Sequence, residues 1–340
     1  MKILIKDDNN NTIVDNTDDT CKACIRDCQK PNCKVLCPIS NTEERRMGKV
    51  NHKDKVLFLC SSRNMTKTSK LFDEKMAMLI YSIPSIINVQ NIAMHNERQK
   101  YELIVHNLKT LNAQSIQTQY RFISQQLLSD NYENIYECIL DEVQHNPKEA
   151  ARTILQLAKN NAHMKTEFTT HEKLSMETPI LSFQEHDIRS VILNVYHSFE
   201  IDFRDNNSRF RISDNGAKVR IDYDTTRVAL YHMFSNAIKY MQNGTPLQVN
   251  IETDNENTVV KFNMRSLFIN KDEIDKIFED GYSGINTRNQ NKNGKGLGMG
   301  LIKKALTLNN AYLDILRGTN IIKYKKENYS DNVFKIVFKS

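Results

Sequence analysis

The stretch "GYSGINTRNQNKNGKGLGMGLIKKAL", residues 281–306, decides how this chain is read. The protein has ten glycines, and six of them lie between Gly281 and Gly300. Glycine adopts positive φ without penalty and lets a backbone approach a ligand closely, at an entropic cost. The cluster runs straight into an apolar-periodic helix at Leu301, Ile302, Ala305 and Leu306. Free N–H groups therefore gather at a helix N-terminus, a geometry that suits phosphate. The G-x-G-x-G-x-G spacing at Gly294, Gly296, Gly298 and Gly300 is neither the Rossmann fingerprint nor the P-loop pattern. Taken alone, the stretch reads either as a polar surface linker or as a nucleotide loop.

The rest of the chain bounds the choice. Its 340 residues are enough for two or three domains. It carries 47 basic and 41 acidic residues, a net charge of +6, with no long block of like charge. No nucleic-acid arm is expected from that balance. The longest apolar candidate, "MAMLIYSIPSIINV", is interrupted by Pro84 and falls short of the ~18–20 residues that span a bilayer. No membrane partner is expected. The opening "MKILIKDDNNN" turns polar too early for a signal peptide. With seven cysteines and no secretory route, a cytoplasmic location with reduced thiols is expected.

Three segments follow one another. Residues 1–70 begin with two short strand patterns and a turn, "MKILIK" and "TIVDN". Five of the seven cysteines then fall at Cys21, Cys24, Cys28, Cys33 and Cys37. Thiolates this dense suit zinc or an iron–sulfur cluster. The spacing is not that of a zinc ribbon, and redox-active or merely buried thiols are the other readings. Residues 71–175 have no proline between Pro84 and Pro147. Tyr101, Ile104, Leu108 and Leu111 share one helical face. At ~100° per residue His106 points away from that face, and Thr110 lies one turn further on the same exposed side. A return limb restarts at Asn146, Pro147 and Glu149, which read as N-cap, N1 proline and acidic N3. Two such limbs make a helical hairpin, which commonly pairs with a second copy into a four-helix bundle. Residues 176–340 mix helix and strand patterns as an α+β sandwich.

The order of motifs in that last segment carries a resemblance. "YHMFSNAIKY" precedes "IDKIFEDGYSG", which precedes "GKGLGMGLIKK". This resembles the Bergerat-type ATP-binding domain of the sensor histidine kinases, within the GHKL superfamily of DNA gyrase B and the Hsp90 chaperones. The resemblance implies ATP and Mg²⁺, with Asn236 as the Mg²⁺ ligand. It implies nucleotide contacts from Lys239 and Tyr240, an aromatic box at Ile277 and Phe278, and a lid of Gly294, Gly296, Gly298 and Gly300. A neutral amide oxygen is a fair Mg²⁺ ligand, because this ion takes few protein oxygens and shares the phosphates. "IVHNLKTLNAQ" resembles the phosphoacceptor box of the same family. That implies phosphorylation of His106, a supporting role for Thr110, a homodimer, and a response-regulator receiver domain as partner.

Two departures stand out. The family's adenine-reading Asp falls on Met264, or on Asn263 if the register slips by one, and its two glycines are Ser266 and Phe268 here. Asn107 stands where an acidic residue usually follows the His, and His232 where relatives have another Asn. Three readings follow. The first is a kinase that phosphorylates His106 from ATP and passes the group to a separate regulator. The second is a nucleotide-gated dimeric switch without phosphotransfer. The third is an ATPase of the DNA-repair type, which would need a Glu at position 232.

Overall fold

The computed structural model describes residues 1–7, 9–37, 43–62, 68–130, 133–176, 178–254, 256–279, 281–288 and 296–339, without the side chains of residues 96, 97, 99, 100 and 103. The chain divides into two compact units, Met1–Glu102 and Leu103–Ser340.

The first unit is built on five antiparallel strands. β1 (Lys2–Asp7) and β2 (Thr12–Asp15) form a hairpin whose turn carries Asn10 at φ 64°, a conformation Asn tolerates better than most residues. A short helix α1 (Cys21–Asp27) leads to β3 (Cys33–Leu36), β4 (Glu44–His52) and β5 (Lys55–Ser62), in the sheet order β2-β1-β5-β4-β3. β5 is buried on both faces because its alternate residues serve two cores. Leu57 and Leu59 join Ile5, Phe72, Met76 and Ile83, the last three lying on the long helix α2 (Ser69–Phe122). Phe58 and Cys60 join Leu4, Cys28 and Met47 on the other side. Gly48 is required where β4 passes the Pro31 carbonyl, which any Cβ there would strike.

The cysteine expectation is corrected here. Among the described residues no group of three or more His, Cys, Asp or Glu side chains is placed to hold a metal ion. Cys21, Cys24, Cys28, Cys33 and Cys37 form no disulfide among the described residues. The reason lies in the local structure. Cys21 and Cys24 sit on α1, Cys28 at its C-cap and Cys33 on β3, so helix and strand take up the spacing that a ligand loop would need. Cys28 Sγ donates to the Lys30 carbonyl and Cys33 Sγ to that of Met47. Burial pushes the Cys24 and Cys28 thiols up, and that of Cys60 to about 11.

Pro84 does not stop α2, which continues through it to Phe122. The segment Ser69–His95 is consequently long and apolar enough, by length and composition, to cross a membrane, contrary to the sequence expectation. Its Phe72, Met76 and Ile83 pack under the sheet, while Met78, Tyr81, Val89 and Met94 of the same segment are exposed.

In the second unit α2 is followed by α3 (Gln125–Asp130), α4 (Ile135–His145) and α5 (Pro147–Thr169), which ends in a π-turn at Thr170–Leu174. Pro147 takes the N1 position and Glu149 the first turn, as read from the sequence. Asn146 stands at the cap, but its amide bonds to Glu142 rather than to the helix. β6 (Phe183–Asp187), α6 (Ile188–Tyr196), α7 (Glu200–Asp205), β7 (Phe210–Ile212), β8 (Lys218–Asp222) and α8 (Tyr223–Tyr240) come next. β9 (Leu247–Thr253) and β10 (Asn257–Leu267) form the hairpin the alternation indicated. After α9 (Ile285–Arg288) and α10 (Gly298–Leu308), strands β11 (Ala311–Leu316), β12 (Ile322–Tyr324) and β13 (Glu327–Lys339) close the chain. The main sheet runs β11-β13-β10-β9-β7, with β12 on β13 and only β7–β9 parallel. β10 buries every second residue, from Thr258 through Val260, Phe262 and Met264 to Ser266, the pattern of a sheet covered on one face. α6, α8 and α10 supply Ile192, Phe234 and Ile302 to that core. Ion pairs tie α5 and its π-turn to the sandwich: Arg152–Asp205, Lys159–Asp202, Lys165–Asp224, and Lys173 with both Asp222 and Asp224.

Candidate functional site

The site begins with two helices, α8 and α10, held alongside each other. Asp222 caps α8, accepting from the Thr225 amide at 2.9 Å, and it is almost wholly buried. Burial raises its pKa, but the Lys173 ammonium and the donors of Ser182 and Thr225 outweigh that and hold the carboxyl below its usual range. Asn309, just past α10, bonds back across the gap. Its oxygen accepts from the Asp222 amide at 2.7 Å and its nitrogen donates to Thr225 Oγ1 at 2.8 Å. The start of α8 is thus fastened to the end of α10, and the two helices lie side by side.

That packing sets Asn236 of α8 against the N-terminus of α10. A Cβ on Gly298 would lie 3.5 Å from Asn236 Oδ1 and 3.9 Å from His232 Nδ1. Asn236 Nδ2 donates to the Met299 sulfur at 3.3 Å. Gly298 and Gly300 open α10, so their N–H groups belong to the first turn, where no intrahelical acceptor exists. Gly296 takes φ +68°, and a Cβ there would run into the backbone of Gly281 and Tyr282. The Gly281 amide donates to the Gly296 carbonyl at 3.2 Å, closing the base of the loop. Gly294 lies outside the described residues.

The remaining side chains line the same helices. Lys239 is half-buried, and desolvation alone pushes its ammonium pKa down, with no carboxylate contribution among the described residues. Its Nζ lies 5.1 Å from the Tyr240 ring, and burial pushes the Tyr240 phenol up. Phe278 closes a short 3-10 turn, with Lys303 of α10 at 5.5 Å over its ring. His232 is half-buried as a residue, yet desolvation of its ring drives the imidazole down to about 4, and its Nε2 has no hydrogen-bond partner among the described residues. A half-buried cation, an orphaned imidazole nitrogen and an amide facing a glycine helix start thus lie on neighbouring turns of α8 and α10, and groups of these kinds suit phosphate and Mg²⁺.

The base side of the site departs from that picture. Met264 is buried in the main core, and the alternation of β10 puts it on the covered face. Asn263 is on the other face, where its amide reaches the Gln248 carbonyl. Ser266 is buried too, and Asn332 of β13 donates to its hydroxyl at 2.9 Å. No carboxylate is available at position 263 or 264 to accept from an adenine amino group.

Sequence reading missed several residues that shape the site. Glu273 is one. It is almost fully buried and accepts from the Ile285 amide at 2.7 Å and the Tyr282 hydroxyl at 3.0 Å. Burial raises its pKa, but those donors and Asn270 prevail and keep it ionised. The spacing of Asn270 and Glu273 was the available signal, since the two form a capping box. Asn309 and Asn332 gave no local signal, because their partners lie 87 and 66 residues away.

His106 and Thr110 lie on an exposed stretch of α2, and Thr110 Oγ1 donates to the His106 carbonyl at 2.9 Å. No hydrogen bond among the described residues joins this pair to the Asn236–Gly298 pocket. Asn107, next in sequence, faces the other way and reaches Glu167 of α5 at 3.1 Å.

Residues 221–328 match the family described as histidine kinase-, DNA gyrase B-, and HSP90-like ATPases. A search of curated proteins finds no match to the chain. Similar solved structures include the mycobacterial sensor histidine kinase MprB, with TM-score 0.38 and 16% identity over 46% of this chain and 97% of that one. Another is the Acinetobacter baumannii histidine kinase AdeS, with TM-score 0.37 and 14% identity over 63% and 92%. A third is histidine kinase ThkA in complex with the response regulator protein TrrA, with TM-score 0.38 and 15% identity over 92% and 79%. The segment that matches this family contains α8 with Asn236, the glycine-rich stretch and α10.

Proposed function

We propose that the chain is a sensor histidine kinase that phosphorylates itself on His106 and hands the phosphoryl group to the receiver domain of a separate response regulator. The observation that carries this reading is the Asn236 amide set against the glycine start of α10. In this reading residues 176–340 bind ATP, residues 71–175 form the dimerising hairpin that bears the acceptor, and residues 1–70 sense the signal. Asn236 holds Mg²⁺, which offsets phosphate charge when bound. The first-turn amides of α10 and the Lys239 ammonium take the phosphate oxygens. Tyr240 and Phe278 border the nucleotide. His106 is exposed, as attack on a phosphorus atom requires. A ring nitrogen forms the N–P bond, the bond to the leaving oxygen breaks, and ADP departs with that electron pair. Thr110 steadies the acceptor turn. A homodimer belongs to the same reading, supported by the exposed Ile116, Tyr120 and Ile154 on the long helices. So does a cytoplasmic location, supported by seven cysteines that form no disulfide among the described residues.

One observation favours a second reading. Met264 fills the position where an adenine-reading acceptor would stand, and a site without that acceptor loses discrimination. The chain would then be a nucleotide-gated switch with no phosphotransfer. Incubation with γ-labelled ATP and Mg²⁺ separates the two. A label stable to base, labile to acid and lost in His106→Gln is the expected result. Retained nucleotide binding with no label would select the switch instead.

A further inference from the structure

Two of the clustered cysteines meet across a short loop of the first unit. Cys28 stands at the C-cap of α1 and Cys33 opens β3. Cys28 is buried with Leu4, Met47, Phe58 and Cys60, and the half-buried Cys33 packs against that cluster. The Cys28 and Cys33 side chains share a hydrogen bond. Their sulfurs also reach backbone carbonyls, Lys30 at 3.6 Å from Cys28 and Met47 at 3.5 Å from Cys33. Cys60 is a poorer partner for Cys33, because the two oppose Met47 from its two sides. Two strand spacings, ~9.6 Å, exceed the reach of a disulfide.

The loop between Cys28 and Cys33 touches the long helix. Asn32 Nδ2 reaches the Ser69 carbonyl at 3.3 Å, the Ser69 hydroxyl at 2.8 Å and Asp73 Oδ1 at 2.8 Å. Its Oδ1 accepts from Arg46 at 3.1 Å. Ser69 and Asp73 belong to the first turns of α2, and the neighbouring Pro31 lies against Gly48 of β4. We infer that Cys28 and Cys33 form a reversible dithiol–disulfide site that reacts with low-molecular-weight disulfides, and that Asn32 carries its state to the start of α2. Burial, and then Cys33 itself, push the Cys28 thiol up, which leaves the first attack to the more accessible Cys33. The Cys33 thiolate attacks one sulfur of the small disulfide, whose S–S bond breaks and releases a thiolate. Cys28 then gives up its proton and attacks Cys33 Sγ, and the second small thiolate leaves. The protein loses two electrons and two protons, and the small disulfide becomes two thiols. Closing this ring draws Cys33 toward the end of α1 and loosens the bonds of Asn32. The redox chemistry stands without the kinase reading; taking it as the signal that residues 1–70 sense rests on that reading.

The full chain is equilibrated without oxygen in mixtures of reduced and oxidised glutathione, quenched with acid and an alkylating agent, and its thiols are mapped by mass spectrometry. Hydrogen exchange at the start of α2 is followed in both states. The expected result is a Cys28–Cys33 disulfide that forms in oxidising mixtures and is lost in reducing ones. Cys28→Ser is expected to hold one glutathione on Cys33, and Cys33→Ser none on the buried Cys28. Oxidation is expected to speed exchange at the Phe72 and Asp73 amides about 3- to 10-fold, as the loss of one or two hydrogen bonds would. Reduced Asn32→Ala is expected to exchange at that faster rate already. A folded wild type that leaves Cys28 and Cys33 reduced in the most oxidising mixture, or bridges either of them to another cysteine, overturns the redox site. Equal exchange in the two states overturns the role of Asn32. Where a serine variant fails to fold, the wild-type map still decides. A chain that forms the bridge reversibly but takes no label from γ-labelled ATP in either state overturns the kinase reading alone.

Discussion

At the scale of the residue, His232 shows how burial sets chemistry. Desolvation drives its imidazole down to about 4, with His163 acting in the same direction and Glu167 opposing. The unfolded chain takes up a proton near the ordinary value of 6.5, while the folded chain does not until about 4. Between those values the unfolded state binds more protons, so stability falls as pH falls, and below the folded value no more is lost. The full difference is about 3 kcal/mol. Glu167, Asp222 and Glu273 are held below their usual range and lose stability in the same direction on acidification. The difference between wild type and His232→Gln isolates the imidazole. Urea unfolding from pH 7 to pH 4 is expected to show a shallower decline in the variant, and parallel curves would refute the assignment. Asn332 is the counterexample. It is buried but bonded to Ser266, Ser330 and Gly318, so it stabilises the pairing of the interior strands β10 and β13 and leaves nothing open for a ligand.

At the scale of the element, the site depends on how α8 and α10 are joined. Asn309 bonds the Asp222 amide, Thr225 Oγ1 and the Ala305 carbonyl from one buried side chain. Asn309→Ala leaves several buried groups without partners, at about 1–3 kcal/mol for each uncompensated group. Thermal unfolding is expected to shift down, and nucleotide affinity to fall with it, because Asn236 and Gly298 lose their common frame. A destabilised variant with unchanged affinity would mean that the two helices are held together by the core alone. Much at this scale was legible in sequence. The β9–β10 hairpin followed from alternation, the start of α5 from Asn-Pro, and α10 from glycines running into apolar periodicity. The misreadings have physical causes. Pro84 removes one helical hydrogen bond, a cost of ~3 kcal/mol that the packing of Phe72, Met76 and Ile83 against the sheet outweighs. The cysteine spacing invited a metal because sequence gives order along the chain and not the side on which each thiol falls.

At the scale of the whole molecule, the account rests on one claim, that α8, the glycine loop and α10 enclose a Mg²⁺–nucleoside triphosphate. The motif order pointed there, and the family match over residues 221–328 agrees. Contacts that bridge distant positions, Asn107 with Glu167 and Asp222 with Asn309, became visible only in the folded chain. No sequence pattern marks two polar residues as partners when 60 or more positions separate them. Calorimetry of MgATP and MgGTP binding to wild type and Asn236→Ala, with equal thermal stability as the control, is the most direct measurement. Saturable Mg²⁺-dependent binding of a triphosphate, lost or weakened at least about tenfold in the variant, is the expected result. Binding of no triphosphate by a folded wild type, or binding that Asn236→Ala leaves unchanged, would contradict it.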